Sequence, residues 1–126
     1  MTFLWGASIS SHQVEGGLEN DWTRWERDNA TEWAQTGLIQ RIRRRLGRAS
    51  PPAAATDPAN YISGAATDHF NRYEEDAEIA ADIGLNALRF SLAWSRLQPT
   101  PGALDADAVA HYREKLHELR DRGIEP

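Results

Sequence analysis

Four acidic side chains crowd into Glu74-Glu75-Asp76-Ala77-Glu78, and a pair of carboxylates is the tool of general acid–base catalysis. Their spacing argues against that use. Phe70, Tyr73, Ala77, Ala80 and Ile83 recur at helical spacing, which leaves the four acids on the wet face of a helix. Five arginines lie between Arg41 and Arg48, followed by Ser50-Pro51-Pro52-Ala53-Ala54-Ala55. A basic run beside a Pro/Ala run is the composition of a solvated loop or flexible insertion, and residues 36–66 read that way, with a local anion or partner patch as the alternative. Arg89 stands apart. It lies in Leu85–Leu92, where alternation sets Leu88 and Phe90 on one side and Ala87, Arg89 and Ser91 on the other. The second side, small residues around a lone guanidinium, suits the inside of a barrel, and a buried unpaired charge is costly. Arg89 therefore needs an acidic partner, which no neighbour in the sequence supplies.

The elements that would position these groups alternate. Phe3–Ile9 mixes aromatic, β-branched and small residues without a charge, as in a strand buried on both faces. A polar stretch ending in Gly16-Gly17 leads out of it. Trp22 and Trp25, three apart, suit one helical turn with both rings packed on the body of the protein. Thr67 is the predicted N-cap of the helix carrying Phe70 to Ile83, and Gly84 its C-terminal glycine. The strand Leu85–Leu92 follows, then a Pro-Gly loop. Asp105 caps a last helix with Val109, Tyr112, Leu116 and Leu119 inside, and Gly123 ends it. Ile124-Glu125-Pro126 heads toward another strand. The order strand, excursion, helix, strand, helix implies parallel strands and an α/β fold.

Composition narrows the partners. The chain has 126 residues, a formal net charge of −5 and no cysteine. A nucleic-acid partner is not expected, because phosphate binding needs an excess of Lys and Arg. No stretch approaches the ~20 apolar residues of a membrane span, and no membrane partner is expected. Disulfides and cysteine-ligated metals are ruled out, and with no leader pattern at Met1–Gly6 the expected location is cytoplasmic.

Three segments, in order, resemble glycoside hydrolase family 1. Phe3-Leu4-Trp5-Gly6-Ala7-Ser8-Ile9-Ser10-Ser11-His12-Gln13-Val14-Glu15-Gly16 is similar to the family's N-terminal signature, an aromatic start and small residues before Gln-x-Glu-Gly. Asp68-His69-Phe70-Asn71-Arg72-Tyr73-Glu74-Glu75-Asp76 resembles its first barrel helix. Gly84 to Pro99 is similar to its Arg-Phe-Ser-x-x-Trp-Ser-Arg-x-x-Pro block. The Asp21-Trp22-x-x-Trp25 pattern is similar to the archaeal-type members.

The resemblance implies the start of a (β/α)8 barrel: roughly its first two β/α units, with a long excursion between strand one and helix one, residues 1–126 forming the N-terminal portion of one glycosidase domain. It implies a retaining β-glycosidase of β-glucosidase or β-galactosidase type, acting on a small β-linked glycoside or disaccharide with no metal or organic cofactor. Gln13 matches the glutamine that hydrogen-bonds sugar hydroxyls, with backbone capping in a loop as the alternative role. Arg89 matches the arginine that pairs with the nucleophilic glutamate. His12 is expected to be structural, Glu15 to brace its loop, and Trp94 and Arg96 to lock the loop after strand two. The two catalytic glutamates occupy Asn-Glu-Pro and Glu-Asn-Gly contexts in the family, and neither occurs here; Glu125-Pro126 follows isoleucine. The chain is thus expected to be a fragment, inactive and short of stability alone, both outer strand edges being unpaired. A non-catalytic partial-barrel module that pairs with another chain, such as a complementary barrel fragment, is the competing expectation.

Overall fold

A computed structural model describes residues 3–37, 42–43, 45–47 and 52–126. In chain order the elements are β1 (Gly6–Ser8), α1 (Ser11–Val14), α2 (Asp21–Thr36), 3-10 turns at Ala53–Thr56 and Pro58–Tyr61, α3 (His69–Asp82), β2 (Ala87–Arg89), α4 (Trp94–Leu97) and α5 (Ala106–Asp121). They divide into two compact units, one built from the chain up to Leu18 with Ala65–Pro126, the other from Glu19–Gly64.

The first unit is α/β. β1 and β2 run parallel, with Gly6 opposite Ala87, Ala7 opposite Leu88 and Ser8 opposite Arg89. The outer edge of β2 is not bare as expected: Ala87 also bridges Glu125 in parallel. Glu125 N–H donates to the Asn86 carbonyl at 2.9 Å, and Leu88 N–H donates to the Glu125 carbonyl at 2.9 Å. That edge is partly covered because α3 and α5 end alike and return the chain to the same level of the sheet. Leu85 N–H reaches back to the Ala80 carbonyl (2.9 Å) as Ile124 N–H does to Leu119 (2.8 Å), each a six-to-one reversal through a glycine.

Alternation along β2 is as read from the sequence: Leu88 is buried and Arg89 exposed. Leu88 packs with Ala77 and Ala80 of α3, Leu119 of α5 and Ile124; Leu85 and Phe90 are partly buried against them. A second cluster joins Leu18, Ala93, Leu97, Ala108 and Tyr112, with Phe70 and Val109 packed on it. Asp105 caps α5, accepting from Ala108 N–H at 2.8 Å. Other expectations need correction. β1 is three residues long and exposed throughout, with Phe3, Leu4 and Trp5 more than half exposed. Burial on both faces requires a layer over each, and among the described residues neither buried cluster of this unit includes a residue of β1. The N-cap of α3 is Asp68, in the left-handed region at φ 57°; the Thr67 hydroxyl instead donates to the Val14 carbonyl at 3.0 Å. Ile83 falls at the C-cap, where the reversal leaves it 69% exposed.

In the second unit, α2 begins with a capping box: Asn20 accepts from Thr23 N–H while the Thr23 hydroxyl accepts from Asn20 N–H. Its buried stripe is small, Thr23, Ala30 and Ala34. Trp22 and Trp25 therefore do not pack inside; they lie on the flank and stack on each other with ring centroids 5.0 Å apart, and Trp33 meets Trp25 edge-on at 5.9 Å. Glu26 accepts from both N–H and hydroxyl of Ser63, within the stretch read as an insertion. Arg41, Arg44 and Arg48 of the basic run, and Ser50-Pro51 beyond it, lie outside the described residues.

Lys115 lies on α5 among residues expected to be solvated, yet it is 2% exposed, with its ammonium 4.2 Å from the centre of the Phe90 ring. Burial drives its pKa down to about 8, against the attraction of Glu15 and Asp76. The folded chain thus releases this proton before the unfolded chain does, and stability rises with pH between about 8 and the ordinary lysine value of about 10.4. Lys115→Met removes the buried charge at similar volume. It is expected to raise unfolding stability at pH 7 by about 2 kcal/mol in a denaturant melt, with the gain fading above about pH 10.

Candidate functional site

Parallel pairing brings the segments that follow β1 and β2 out at the same end of the sheet. α1 follows β1 and carries Gln13; Arg89 is the last residue of β2. Ile9 N–H donates to the Arg89 carbonyl at 2.9 Å, and Ser11 N–H donates to the Ser91 hydroxyl at 3.1 Å, so the two exits are stitched together. Gln13 is exposed, and its side-chain oxygen accepts from the Ser10 hydroxyl at 2.8 Å. Its amide nitrogen has no hydrogen-bond partner among the described residues. Arg89 is exposed too, and among the described residues its guanidinium touches the Ser8 hydroxyl at 3.4 Å, with no carboxylate beside it. The structure thus brings both predicted site residues to one rim. The acidic partner expected for Arg89 is not among the residues described around it, and the exposed guanidinium meets solvent instead.

Beneath the rim lies a polar cluster. Glu15, 1% exposed, accepts from the Tyr112 hydroxyl at 3.0 and 2.9 Å to its two oxygens. Arg96 adds charge: its Nε is 3.4 Å from Glu15, an ion pair without hydrogen-bond alignment, while its Nη2 donates to the Gly16 carbonyl at 2.6 Å. The Arg96 guanidinium also lies 3.9 Å over the Phe70 ring, and His111 stacks on that ring at 3.9 Å. Burial raises the Tyr112 pKa, aided by the adjacent Glu15 carboxylate, so the phenol stays a donor. Gly16 closes the cluster with a requirement of its own: its φ is 72°, and a Cβ there would fall 2.0 Å from the Ala65 carbonyl oxygen.

Glu15 and Arg96 thus do the bracing expected of them, whereas Trp94 is 65% exposed and packs little. Its neighbours Ala93 and Leu97 fill the core instead, because the one-turn α4 turns them inward. Two participants were missed. By sequence Tyr112 is an apolar stripe residue, although its spacing from Asp105 sets it about two helical turns past the cap of α5. Asp76 was read as solvated surface, but it pairs with Nδ1 of His69, which is 3% exposed. Burial lowers the His69 pKa more than Asp76 raises it, so the ring is neutral and donates from Nδ1. The His-x6-Asp spacing, two turns of one helix, was the available signal.

The sequence profile of glycosyl hydrolase family 1 matches residues 1–126. The chain belongs to that family. β-Glucosidase 25 of Oryza sativa subsp. japonica is 34% identical over 125 residues, covering 98% of this chain and 21% of its own length. A solved β-glycosidase from Pyrococcus horikoshii is 32% identical with a TM-score of 0.64, over 97% of this chain and 22% of that one. A rice β-glucosidase solved in a covalent complex with glucose is 28% identical, TM-score 0.62, over 98% and 22%. The chain therefore spans about a fifth of the length of the relatives it matches. Arg96→Ala leaves Glu15 buried without its cation; because Arg96 is itself partly exposed, the expected loss is about 3 kcal/mol of unfolding stability, read as a lower denaturant midpoint at unchanged slope.

Proposed function

We propose that this chain supplies the first two β/α units of a retaining β-glycosidase barrel, which hydrolyses β-linked glucosides, galactosides or related small glycosides. The observation that carries the reading is the parallel register that sets Gln13 and Arg89 at the C-terminal rim of adjacent strands, where barrel enzymes build their sites. In this reading the Gln13 amide binds sugar hydroxyls. The Arg89 guanidinium keeps a glutamate nucleophile ionised and aimed, which supplies the acidic partner it lacks here. Retention needs two carboxyl groups about 5–5.5 Å apart, one as nucleophile and one as acid/base. Neither Asn-Glu-Pro nor Glu-Asn-Gly occurs in these residues, so the proposal assigns both groups to polypeptide beyond them. The covalent glucose complex of the rice relative supports a mechanism through a glycosyl-enzyme intermediate.

The second reading is a non-catalytic module that pairs with another chain. It is favoured by a groove of about 460 Å³ along β2, walled by Leu4, Phe90, Leu92 and Leu116 and ending at Glu125 and Pro126. An added strand fits that groove whether or not it brings catalytic residues.

The two separate by complementation. The chain is co-expressed with the part of the Pyrococcus horikoshii β-glycosidase beyond the 22% it matches, and hydrolysis of a chromogenic β-glucoside is followed. The chain alone is expected to be inactive and the reassembled pair active. In the pair, Gln13→Ala should lower kcat/KM by about tenfold to a hundredfold and Arg89→Ala by at least about a hundredfold. Association without activity favours the module reading. Hydrolysis by the purified chain alone overturns the assignment of the carboxylates to other polypeptide.

A further inference from the structure

Tyr112 stands on α5, 3% exposed, far along the chain from either rim residue. A phenol has one hydrogen to donate and lone pairs to accept with. The hydrogen goes to Glu15, the residue that ends α1 two positions after Gln13. A lone pair takes the N–H of Ala93 at 3.0 Å, four positions after Arg89. One hydroxyl therefore ties the exit of β1 to the exit of β2. A phenylalanine would fill the same space in the cluster of Leu18, Ala93, Leu97 and Ala108, and it would serve neither tie. It would also strand two buried groups: Glu15 would lose its only hydroxyl donor among the described residues, and Ala93 N–H its acceptor.

We propose that Tyr112 is a positioning residue, whose hydroxyl sets Gln13 and Arg89 relative to each other without reaching the rim itself. This rests on the reading of those two residues as the sugar-facing pair. The phenol acts at both exits at once, so its loss should loosen them together, whereas losing a contact at one exit should move one side chain only.

The test is carried out by NMR on the 15N-labelled chain reassembled with the complementary part of the Pyrococcus horikoshii β-glycosidase, with Tyr112→Phe beside a packing control, Val109→Ala, on the same helix. The readouts are the Gln13 side-chain amide, the Arg89 Nε–H, and hydrogen exchange at the backbone amides of Glu15, Leu85 and Ile124. Tyr112→Phe is expected to shift both the Gln13 and Arg89 signals and to speed exchange at Glu15 about tenfold. Leu85 and Ile124, held by the helix reversals on the other core cluster, should stay within about twofold. Val109→Ala should leave the Gln13 and Arg89 signals in place. Unchanged Gln13 and Arg89 signals in Tyr112→Phe overturn the proposal. So does acceleration at all three amides together, which is loss of fold rather than of position. Lack of protection at Glu15 in the unsubstituted chain overturns it as well, since no clamp then operates. No sugar enters these readouts. Failure here with a normal Gln13→Ala effect in the reassembled pair removes only the positioning role, and the reverse pattern removes only the sugar reading.

Discussion

A carboxylate buried at 1% exposure is the constraint around which the first unit is arranged. Taking Glu15 out of water costs several kcal/mol unless donors and a cation replace the lost hydration. Those replacements come from two separate stretches of chain, Tyr112 from α5 and Arg96 from α4, and Arg96 is held in turn by the Phe70 ring of α3, a third, and by the carbonyl of Gly16 beside Glu15. No two of them are neighbours in sequence, so the carboxylate is satisfied only when β1, β2 and α5 are already close to their final places. Apolar packing in the adjacent cluster tolerates small shifts; the hydrogen bonds at about 3 Å do not. The cluster therefore supplies discrimination between near-native arrangements more than net stability, which Leu88, Leu119 and Ile124 contribute on the other side.

The two clusters differ in what they tolerate at their edges. Around Leu88 the small side chains Ala77 and Ala80 let α3 approach the strand closely, and the matched reversals at Gly84 and Gly123 deliver both following segments to the sheet in register. The same α5 that provides Leu119 also carries Lys115, whose long aliphatic stem is buried with it. That ammonium is accommodated by the Phe90 ring and by the fields of Glu15 and Asp76, a compromise rather than a satisfied pair.

How much was legible follows from how far each signal reaches. Alternation in Ala87-Leu88-Arg89 is a property of three consecutive residues, and it gave the correct faces. The cap at Asp105 depends on Ala108, three residues away, and was readable too. The glycine stops at Gly84 and Gly123 and the parallel order of strands were likewise local or combinatorial inferences. Legibility fails where the partner is distant or the competition is close. Glu15 and Tyr112 are 97 positions apart, and nothing in either neighbourhood announces the other. Lys115 shares its helix with genuinely wet residues and differs from them only in what α3 and Phe90 place over it. At the start of α3 the Thr67 hydroxyl is taken by the Val14 carbonyl, 53 positions away, and Asp68 holds the N-cap position without a side-chain cap bond. For the rim, Gln13 and Arg89 were found through motif resemblance, and the phenol beneath them was not, because a tyrosine in an apolar stripe looks like any other large side chain.

The tryptophans have a consequence for anyone watching this protein by light. Trp22, Trp25 and Trp33 all stand in the second unit, two of them stacked and all three more than 40% exposed. The remaining two, Trp5 and Trp94, are about two-thirds exposed on the first unit. None of the five belongs to either buried cluster of that unit. Indole emission is thus a gauge of α2 and of solvated surface. The interior built on Glu15 is optically represented by tyrosine, and its opening would pass almost unrecorded in the tryptophan band.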